Sequence, residues 1–164
     1  MNPSVPDLCD DFEDRLRVLE PLFRDFGGRE RFSGPISTVK CHEDNSRVKE
    51  ALAEAGEGRV LVVDGGGSLR HALLGDMLAA MGAENGWSGV VVYGCVRDVE
   101  ITRTIELGLR AIAPHPVKSV KRGEGQRDVP VRFAGVTIQP GAVLYADANG
   151  LVIADEDLGV SFNG

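Results

Sequence analysis

Two short valine-rich runs, each followed within two residues by a glycine, constrain the fold of this chain most strongly. They are Val60–Val63 and Val90–Tyr93. Apolar residues without polar alternation are typical of strands buried on both faces, as in a parallel sheet covered by helices. Between the two runs, Leu69, Leu73 and Met77 recur at helical spacing. The pattern therefore predicts a βα unit with two parallel strands.

The remaining segments predict an α/β fold with parallel βα units at its centre and a β-rich C-terminal third. Helices are expected at Leu8–Glu20, from a cap among Asp44, Asn45 and Ser46 to Ala55, and at Val99–Leu107. Further strands are expected at Gly34–Cys41, Arg110–Ala113, Val129–Phe133, Val136–Ile138, Val143–Ala146 and Leu151–Ala154. Asn149-Gly150 favours a tight hairpin turn between the last two. A chain of 164 residues is expected to form one domain, residues 1–164.

Charge and composition exclude several classes of protein. The chain has 18 Lys+Arg against 25 Asp+Glu, and a formal net charge of −7 argues against nonspecific binding to nucleic acids. No apolar run reaches the roughly 20 residues that a membrane helix needs, and the first residues lack the apolar core of a signal peptide. The three cysteines are odd in number and lack metal-binding spacing. We therefore expect buried, reduced thiols in a cytoplasmic protein.

Both valine-rich strands end in polar turns, which a parallel arrangement brings to the same edge of the sheet. Gly65–Arg70 follows the first strand, and Arg97-Asp98 follows the second. Ligands of open α/β sheets bind beyond this edge, so we expect both turns beside one crevice. The glycine turn lacks the third glycine of a dinucleotide loop and the Lys-Ser/Thr of a phosphate loop. It is either a closely packed turn or a backbone nest for an anion.

Arg97 and Asp98 also allow two interpretations. They form either a surface ion pair, or a site in which Arg97 binds a substrate carboxylate and Asp98 offers an oxygen to a divalent cation. Asp76 lies 21 positions before Arg97. Either Gly75 breaks the helix, so that Asp76 stands in a first turn whose N–H groups face an anion, or one helix runs over Leu69–Ala83. The apolar spacing favours the unbroken helix, and Gly75 favours the break.

Two other groups of polar residues are weaker candidates. The histidines lack the spacing of a zinc site, and His71 is the one best placed to touch a ligand; the others are His42 and His115. A local basic cluster is either a solvated loop, a flap over the site or a partner contact. It comprises Lys118, Lys121, Arg122 and Arg127 within the polar segment Lys118–Asp128.

Ordered matches along nearly the whole chain carry a resemblance to a known family. They include Asp7–Asp10, Phe26–Arg29, Val39–Asn45, Val62–Arg70, Ala72–Asp76, Gly94–Asp98 and Tyr145–Gly150. On these segments the chain resembles the family that joins the regulator of ribonuclease activity A with the class II 4-hydroxy-4-methyl-2-oxoglutarate aldolases.

The resemblance implies a swivelling β/β/α domain that assembles as a homotrimer, with active sites near the subunit boundaries. Aldolase members carry an acid, twenty intervening residues and then Arg-Asp, which Asp76, Arg97 and Asp98 match. By resemblance, Asp98 binds Mg²⁺ or Mn²⁺ directly and Asp76 holds the cation through water. Arg97 takes the carboxylate of the pyruvyl part, helped by backbone amides of Gly75, Asp76, Met77 and Leu78. Members often have another acid three positions after the Asp, where this chain has Ile101 beside Glu100.

The function so implied is a divalent-metal-dependent aldolase. It would cleave 4-hydroxy-4-methyl-2-oxoglutarate and related 4-hydroxy-2-oxo acids to pyruvate, and decarboxylate oxaloacetate through the same pyruvate enolate. No lysine belongs to the Asp76, Arg97 and Asp98 trio, so a Schiff-base mechanism is not expected.

The other branch of the family implies a different function. It is a noncatalytic regulator that binds and inhibits an RNA-degrading endonuclease of the ribonuclease E type, without binding RNA. Related sequences have also been called methyltransferases, but this chain has no glycine-rich cofactor loop followed by a ribose-binding acid.

Overall fold

A computed structural model describes residues 2–163 of the chain. This part of the chain contains four helices and twelve strands, and a 3-10 turn occupies Glu13–Arg15. The helices are α1 (Val5–Asp11), α2 (Ser46–Leu52), α3 (Asp76–Glu84) and α4 (Val99–Thr102). The strands are β1 (Leu16–Val18), β2 (Arg24–Asp25), β3 (Phe32–Lys40), β4 (Val60–Asp64), β5 (Ala72–Leu74), β6 (Gly89–Val96), β7 (Gly108–Pro114), β8 (Gln126–Arg127), β9 (Val131–Phe133), β10 (Val136–Ile138), β11 (Val143–Asp147) and β12 (Gly150–Ala154).

One large mixed sheet has parallel strands at its centre. Its main order is β1-β12-β11-β3-β4-β6-β7-β2, with β5 beside β6 and β8 beside β3. The pairs β3–β4, β4–β6 and β6–β7 are parallel, whereas β9 and β10 form a separate antiparallel hairpin. The predicted α/β class, with a parallel centre and a β-rich C-terminal third, is confirmed.

The valine-rich strand β4 is buried on both of its faces. Leu61 and Val63 pack into the cluster that includes side chains of α2 and α3. Val60 and Val62 point the other way, into the cluster that includes the β9–β10 hairpin. Burial of both faces explains why the strand has no polar alternation.

The predicted helix over Leu8–Glu20 is wrong beyond its first part. α1 begins at Val5, where Ser4 and Asp7 form a capping box, and it ends at Asp11. The chain then becomes the strand β1, which pairs antiparallel with β12. Pairing with a distant strand overrides the helical spacing of the local apolar residues.

Two further predicted helices are too long. The helices expected to reach Ala55 and Leu107 extend beyond the observed ends of α2 and α4. After α4, the carbonyl oxygen of Ile105 accepts a hydrogen bond from the backbone N–H of Gly28. Several β-branched residues in this segment also lower its helix propensity.

The unbroken helix over Leu69–Ala83 does not form, because the chain re-enters the sheet before α3 begins. β5 pairs with the last two residues of β6. Because β7 occupies the other edge of β6 at this point, β5 lies on the side that β4 has left. Gly75 then precedes the first residue of α3, so Asp76 stands at a helix N-terminus.

Residues 115–125, here called the cover segment, cross the carboxyl edge of the sheet. Backbone hydrogen bonds hold them at two places. Ala72 donates to Val117 and accepts from Ser119, and Val120 donates to Glu43 and accepts from Asn45. The cover segment, which follows β7 in the chain, is therefore attached to the sheet. The chain continues from the cover segment into β8, which pairs with β3.

Asp44 fixes the far end of the cover segment. Its side chain is 1% exposed, and its Oδ2 accepts hydrogen bonds from the backbone N–H groups of Arg122 (2.8 Å) and Glu124 (3.3 Å). Its Oδ1 accepts from the backbone and hydroxyl of Ser46 at 2.8 and 2.6 Å. Burial raises the pKa of Asp44, but these hydrogen bonds outweigh burial and lower the pKa to about 2.

Two expectations from composition can be compared with the fold. Within residues 2–163, no helix is long and apolar enough to cross a membrane. All three cysteines are free thiols, but only Cys41 and Cys95 are buried, and Cys9 is partly exposed. Burial raises the pKa of Cys41 to about 12.

The Asp44 contacts predict a pH-dependent contribution to stability. Asp44→Asn should lower the free energy of unfolding at pH 7 by about 1–3 kcal/mol, because the buried carboxylate loses its charge-assisted hydrogen bonds from three backbone N–H groups and a hydroxyl. Folding depresses the pKa of Asp44, so its contribution is present above about pH 4 and is lost as pH falls toward 2. The difference between the two proteins should therefore shrink between about pH 4 and pH 2 in urea titrations.

Asp10→Asn is the control for this measurement, because Asp10 is exposed. It should leave the free energy of unfolding close to that of the wild type. A difference for Asp44→Asn that stays constant down to pH 2 would contradict the assigned role.

Candidate active site

A cleft of about 270 Å³ lies where β5, the start of α3 and the end of β6 meet beside the cover segment. Its lining includes every residue to which the family resemblance assigns a role in catalysis, substrate binding or metal binding. They are Gly75, Asp76, Met77, Leu78, Arg97 and Asp98. The topology explains this juxtaposition, because β5 ends at α3 and lies beside the strand that ends at Arg97.

Asp98 has a left-handed backbone conformation, with φ 58° and ψ 38°. This region is uncommon for residues other than glycine, although Asp and Asn tolerate it better than most. Its backbone carbonyl accepts from Ile101 and Thr102 at the start of α4. Its side chain meets the start of α3, where Oδ2 accepts from the backbone N–H of Asp76 at 3.2 Å. Within the described residues, Oδ1 accepts no hydrogen bond, so one oxygen remains free.

Gly75 gives the Asp98 carboxylate its space. A Cβ at Gly75 would lie 2.6 Å from Asp98 Oδ2 and 3.3 Å from Arg97 Cγ. The φ of Gly75 is −130°, an extended conformation that any residue adopts. Close approach, and not backbone freedom, therefore requires glycine here.

Arg97 keeps most of its hydrogen-bonding capacity for a ligand. Its backbone N–H donates to Leu74, and its Nε lies 3.9 Å from Asp98 Oδ2. One terminal nitrogen is 3.5 Å from the carbonyl oxygen of Pro116. The ion pair between Arg97 and Asp98 is weak, because its atoms are far apart and the arginine side chain is 39% exposed. The guanidinium is thus available to bind a carboxylate.

Asp76 and Asp98 together suit a hard divalent cation. Oδ1 of Asp76 accepts from the N–H of Met77 at 2.9 Å, which leaves its second oxygen free of hydrogen bonds in the described part of the chain. Among residues 2–163, no group of three or more His, Cys, Asp or Glu side chains is placed to hold a metal ion. Two carboxylates that leave other positions to water and substrate are typical of Mg²⁺ sites. The residues present therefore fit such a cation.

The cleft is also lined by three lysines, two of which the sequence placed at the site as one of three alternatives. Lys118 and Lys121 reach it from the cover segment, and Lys49 reaches it from α2. For Lys118 and Lys121, the structure therefore agrees better with a flap over the cleft than with a loop that is fully in solvent. Arg127, from the same basic cluster, instead pairs with Glu50 and Glu54. The scarcity of lysine, four in the whole chain, is the sequence signal that would have singled these residues out.

The glycine turn does not share the cleft, which corrects the expectation of one common crevice. The backbone N–H groups of Gly65 and Gly67 both donate to Tyr93, and that of Gly66 donates to Asp64. These three donors are used within the turn, so it is a packed turn and not a nest for an anion. The return of the chain through β5 puts the start of α3, and not the glycine turn, beside Arg97.

Glu43 organises a separate polar cluster near the glycine turn. It accepts hydrogen bonds from Ser68 Oγ (2.6 Å) and Arg70 Nε (2.7 Å). These two bonds lower the pKa of Glu43 to about 2. His71 Nδ1 lies 3.6 Å from Glu43 Oε1, and His71 does not line the cleft. His71, the best placed of the three histidines by sequence, therefore lies outside this cleft. Glu100 is also outside the cleft and is exposed.

Known proteins with similar sequences cover almost the whole chain. The profile of the RraA-like family, described as Aldolase/RraA, matches residues 5–153. A protein of Alkalilimnicola ehrlichii is 67% identical over 157 residues, which cover 94% of this chain and 98% of that protein. A protein of Ectopseudomonas mendocina is 56% identical over 158 residues, with 96% and 98% covered. Both are named, provisionally, as 4-hydroxy-4-methyl-2-oxoglutarate aldolases.

Two solved structures share the fold but have different names. The RNA-processing inhibitor RraA from Thermus thermophilis has a TM-score of 0.93 and 47% identity, and 100% of both chains is covered. A Geobacillus kaustophilus protein named S-adenosylmethionine:2-dimethylmenaquinone methyltransferase has a TM-score of 0.93 and 51% identity, with 95% of this chain and 97% of that chain covered. From its sequence and its fold, the chain belongs to the RraA-like (Aldolase/RraA) family.

Proposed function

We propose that this protein is a divalent-metal-dependent aldolase. It cleaves 4-hydroxy-4-methyl-2-oxoglutarate and related 4-hydroxy-2-oxo acids to pyruvate, and it decarboxylates oxaloacetate. The observation that carries the proposal is the meeting of Asp76, Arg97 and Asp98 in one cleft, with free oxygens on both aspartates and free donors on the arginine. The names of the relatives from Alkalilimnicola and Ectopseudomonas support the same activity.

The cleft has separate groups for the two ends of a pyruvyl unit. Arg97 and the first turn of α3 bind the C1 carboxylate, because a guanidinium and the positive end of a helix both favour an anion. Asp98 would hold the divalent cation directly, and Asp76, the first residue of α3, would hold it through water. When bound, Mg²⁺ or Mn²⁺ supplies Lewis-acid stabilisation of the negative charge that develops on the 2-oxo oxygen.

The two reactions share one electronic requirement. In the aldol cleavage a base takes the proton of the 4-hydroxyl, the C3–C4 bond breaks and C4 becomes a carbonyl. The electron pair remains on the pyruvyl part as an enolate, which takes up a proton at C3 to give pyruvate. In the decarboxylation, CO₂ leaves from the same position. A fixed arginine, together with a cation that the fixed carboxylates would hold, would stabilise this negative charge without reorganising during the reaction.

The methyltransferase name of the Geobacillus protein has no counterpart in the site of this chain. Its glycine turn donates Gly65, Gly66 and Gly67 N–H groups to Tyr93 and Asp64. These three glycine N–H groups are therefore not free to bind a nucleotide-like cofactor.

The Thermus protein is named an RNA-processing inhibitor, and this name supports a second candidate function. That function is inhibition of an RNA-degrading endonuclease by direct binding. Its similarity covers the full length of both chains. Pull-down with purified ribonuclease E, followed by an RNA-cleavage assay, tests this function separately. We expect any inhibition to occur without binding of RNA itself, since the chain has a net charge of −7. An inert pull-down would count against the regulator.

Asp98→Asn tests the proposed activity. Pyruvate release from 4-hydroxy-4-methyl-2-oxoglutarate and from oxaloacetate should require Mg²⁺ and disappear with excess chelator. In the variant, kcat/KM should fall by at least about 100-fold, because a ligand to the charge-stabilising group is weakened. Asn tolerates the left-handed conformation of Asp98, so the fold should be retained.

Asp128→Asn is the matched control, since Asp128 also has a positive φ, of 56°, but does not line the cleft. It should release pyruvate at the wild-type rate. Wild-type turnover by Asp98→Asn, or no release above that of free metal by the wild type, would overturn the aldolase proposal.

Gly75→Ala tests the close approach at the centre of the site. The new Cβ must displace the Asp98 carboxylate, from which it would otherwise be 2.6 Å away. We expect kcat/KM to fall by about 10- to 100-fold, because small displacements of reacting groups have effects of this size. Gly82→Ala, on the same helix but facing Leu52, is the control. Equal activities of the two variants would contradict the assigned role of Gly75.

A further inference from the structure

We infer that Lys118 and Lys121 of the cover segment bind the second carboxylate of the substrate, while Lys49 adds to the positive charge of the same cleft. The cleft would then select 2-oxo acids that carry a carboxylate at both ends over those with only the pyruvyl carboxylate. This inference rests on the proposed function, and it assigns a specificity role to residues outside the Asp76, Arg97 and Asp98 trio.

The distribution of lysine in this chain is uneven. The chain has four lysines, and three of them line this one cleft. In the described part of the chain, none of the three forms an ion pair or donates a side-chain hydrogen bond. Arginines elsewhere on the surface do pair, as Arg47 with Glu50 and Arg17 with Asp155. The lysines are therefore cationic groups without an anionic partner in the protein.

The charges in the cleft leave room for a second anion. Arg97 serves the C1 carboxylate, and a divalent cation balances Asp76 and Asp98. The three ammonium groups then remain uncompensated within an acidic protein whose net charge is −7. A cleft with excess positive charge favours a dianion over a monoanion of the same shape. A lysine ammonium on its flexible stem suits a carboxylate that departs with the product.

The backbone places both cover-segment lysines firmly. Lys118 lies between Val117 and Ser119, which are both hydrogen-bonded to Ala72 of β5. It is thus in register with the strand that leads into Gly75. Lys121 lies between Val120, which is bonded to the backbone of residues 43 and 45, and Arg122, which donates to Asp44. Each lysine is therefore flanked by backbone anchors that do not use its side chain.

This arrangement specifies the substrate class. In 4-hydroxy-4-methyl-2-oxoglutarate the second carboxylate is attached to C4, on the fragment that leaves when the C3–C4 bond breaks. 2-Oxoglutarate keeps both carboxylates but lacks the 4-hydroxyl, so it binds without being cleaved. 2-Oxopentanoate has a methyl group in place of the second carboxylate. The pair isolates the contribution of that one group.

Binding calorimetry of these two acids in the presence of Mg²⁺ tests the inference. Wild-type protein should bind 2-oxoglutarate at least about tenfold more tightly than 2-oxopentanoate, as expected for charge-assisted contacts to one carboxylate. The double variant Lys118→Gln/Lys121→Gln should lose this preference while it binds 2-oxopentanoate as the wild type does. Lys118→Arg/Lys121→Arg should retain it. Lys40→Gln, the remaining lysine and outside the cleft, is the control.

The outcomes separate this inference from the proposed function. A preference that survives in the double Gln variant, or that is absent in the wild type, overturns the lysine assignment. If the wild type nevertheless releases pyruvate and Asp98→Asn does not, the aldolase proposal stands without it. Amide hydrogen exchange in residues 116–124 checks that the cover segment is still attached in the double variant. Unchanged exchange with loss of preference supports direct binding by the lysines.

Discussion

The contact between Gly75 and Asp98 is the constraint on which the cleft depends. The Asp98 carboxylate fits against the start of α3 only because Gly75 has no side chain. The left-handed conformation of Asp98 turns that carboxylate toward the N–H of Asp76. Asp98 shares its left-handed conformation with other residues such as Asp128, but its side chain also meets the start of α3 and the cleft. The same turn leaves the adjacent Arg97 with free donors.

The sequence predicted the parts of the fold that depend on local pattern. The valine-rich runs form β4 and β6, and a cleft lies at the predicted carboxyl edge of the sheet. The Gly75 break was one of two open alternatives, and periodicity did not decide between them. The pairing of β5 with the end of β6 keeps the chain in the sheet as far as Leu74 and so requires the break before α3. Because β5 lies beside the end of β6, the start of α3, and not the glycine turn, lines the cleft. Pairing of β1 with β12 likewise replaced the predicted first helix.

The site itself was only partly predictable. Asp76, Arg97 and Asp98 follow a spacing that a sequence reveals, and the structure brings them together. The three lysines come from two segments whose path depends on tertiary contacts, chiefly the buried carboxylate of Asp44 and backbone bonds to Ala72. The result is a cationic cleft in an acidic chain. Such a cleft suits a small, doubly charged acid, whereas the rest of the surface repels polyanions.

Formation of a pyruvate enolate is the central chemical claim, and proton exchange measures it without any cleavage step. With pyruvate in D₂O, the wild-type protein and Mg²⁺ should replace the methyl protons by deuterium well above the rate of metal alone, as followed by proton NMR. Asp98→Asn should exchange at the rate of the metal alone. Exchange that is no faster with the wild-type protein than with Mg²⁺ alone, or that persists undiminished in Asp98→Asn, would contradict the account.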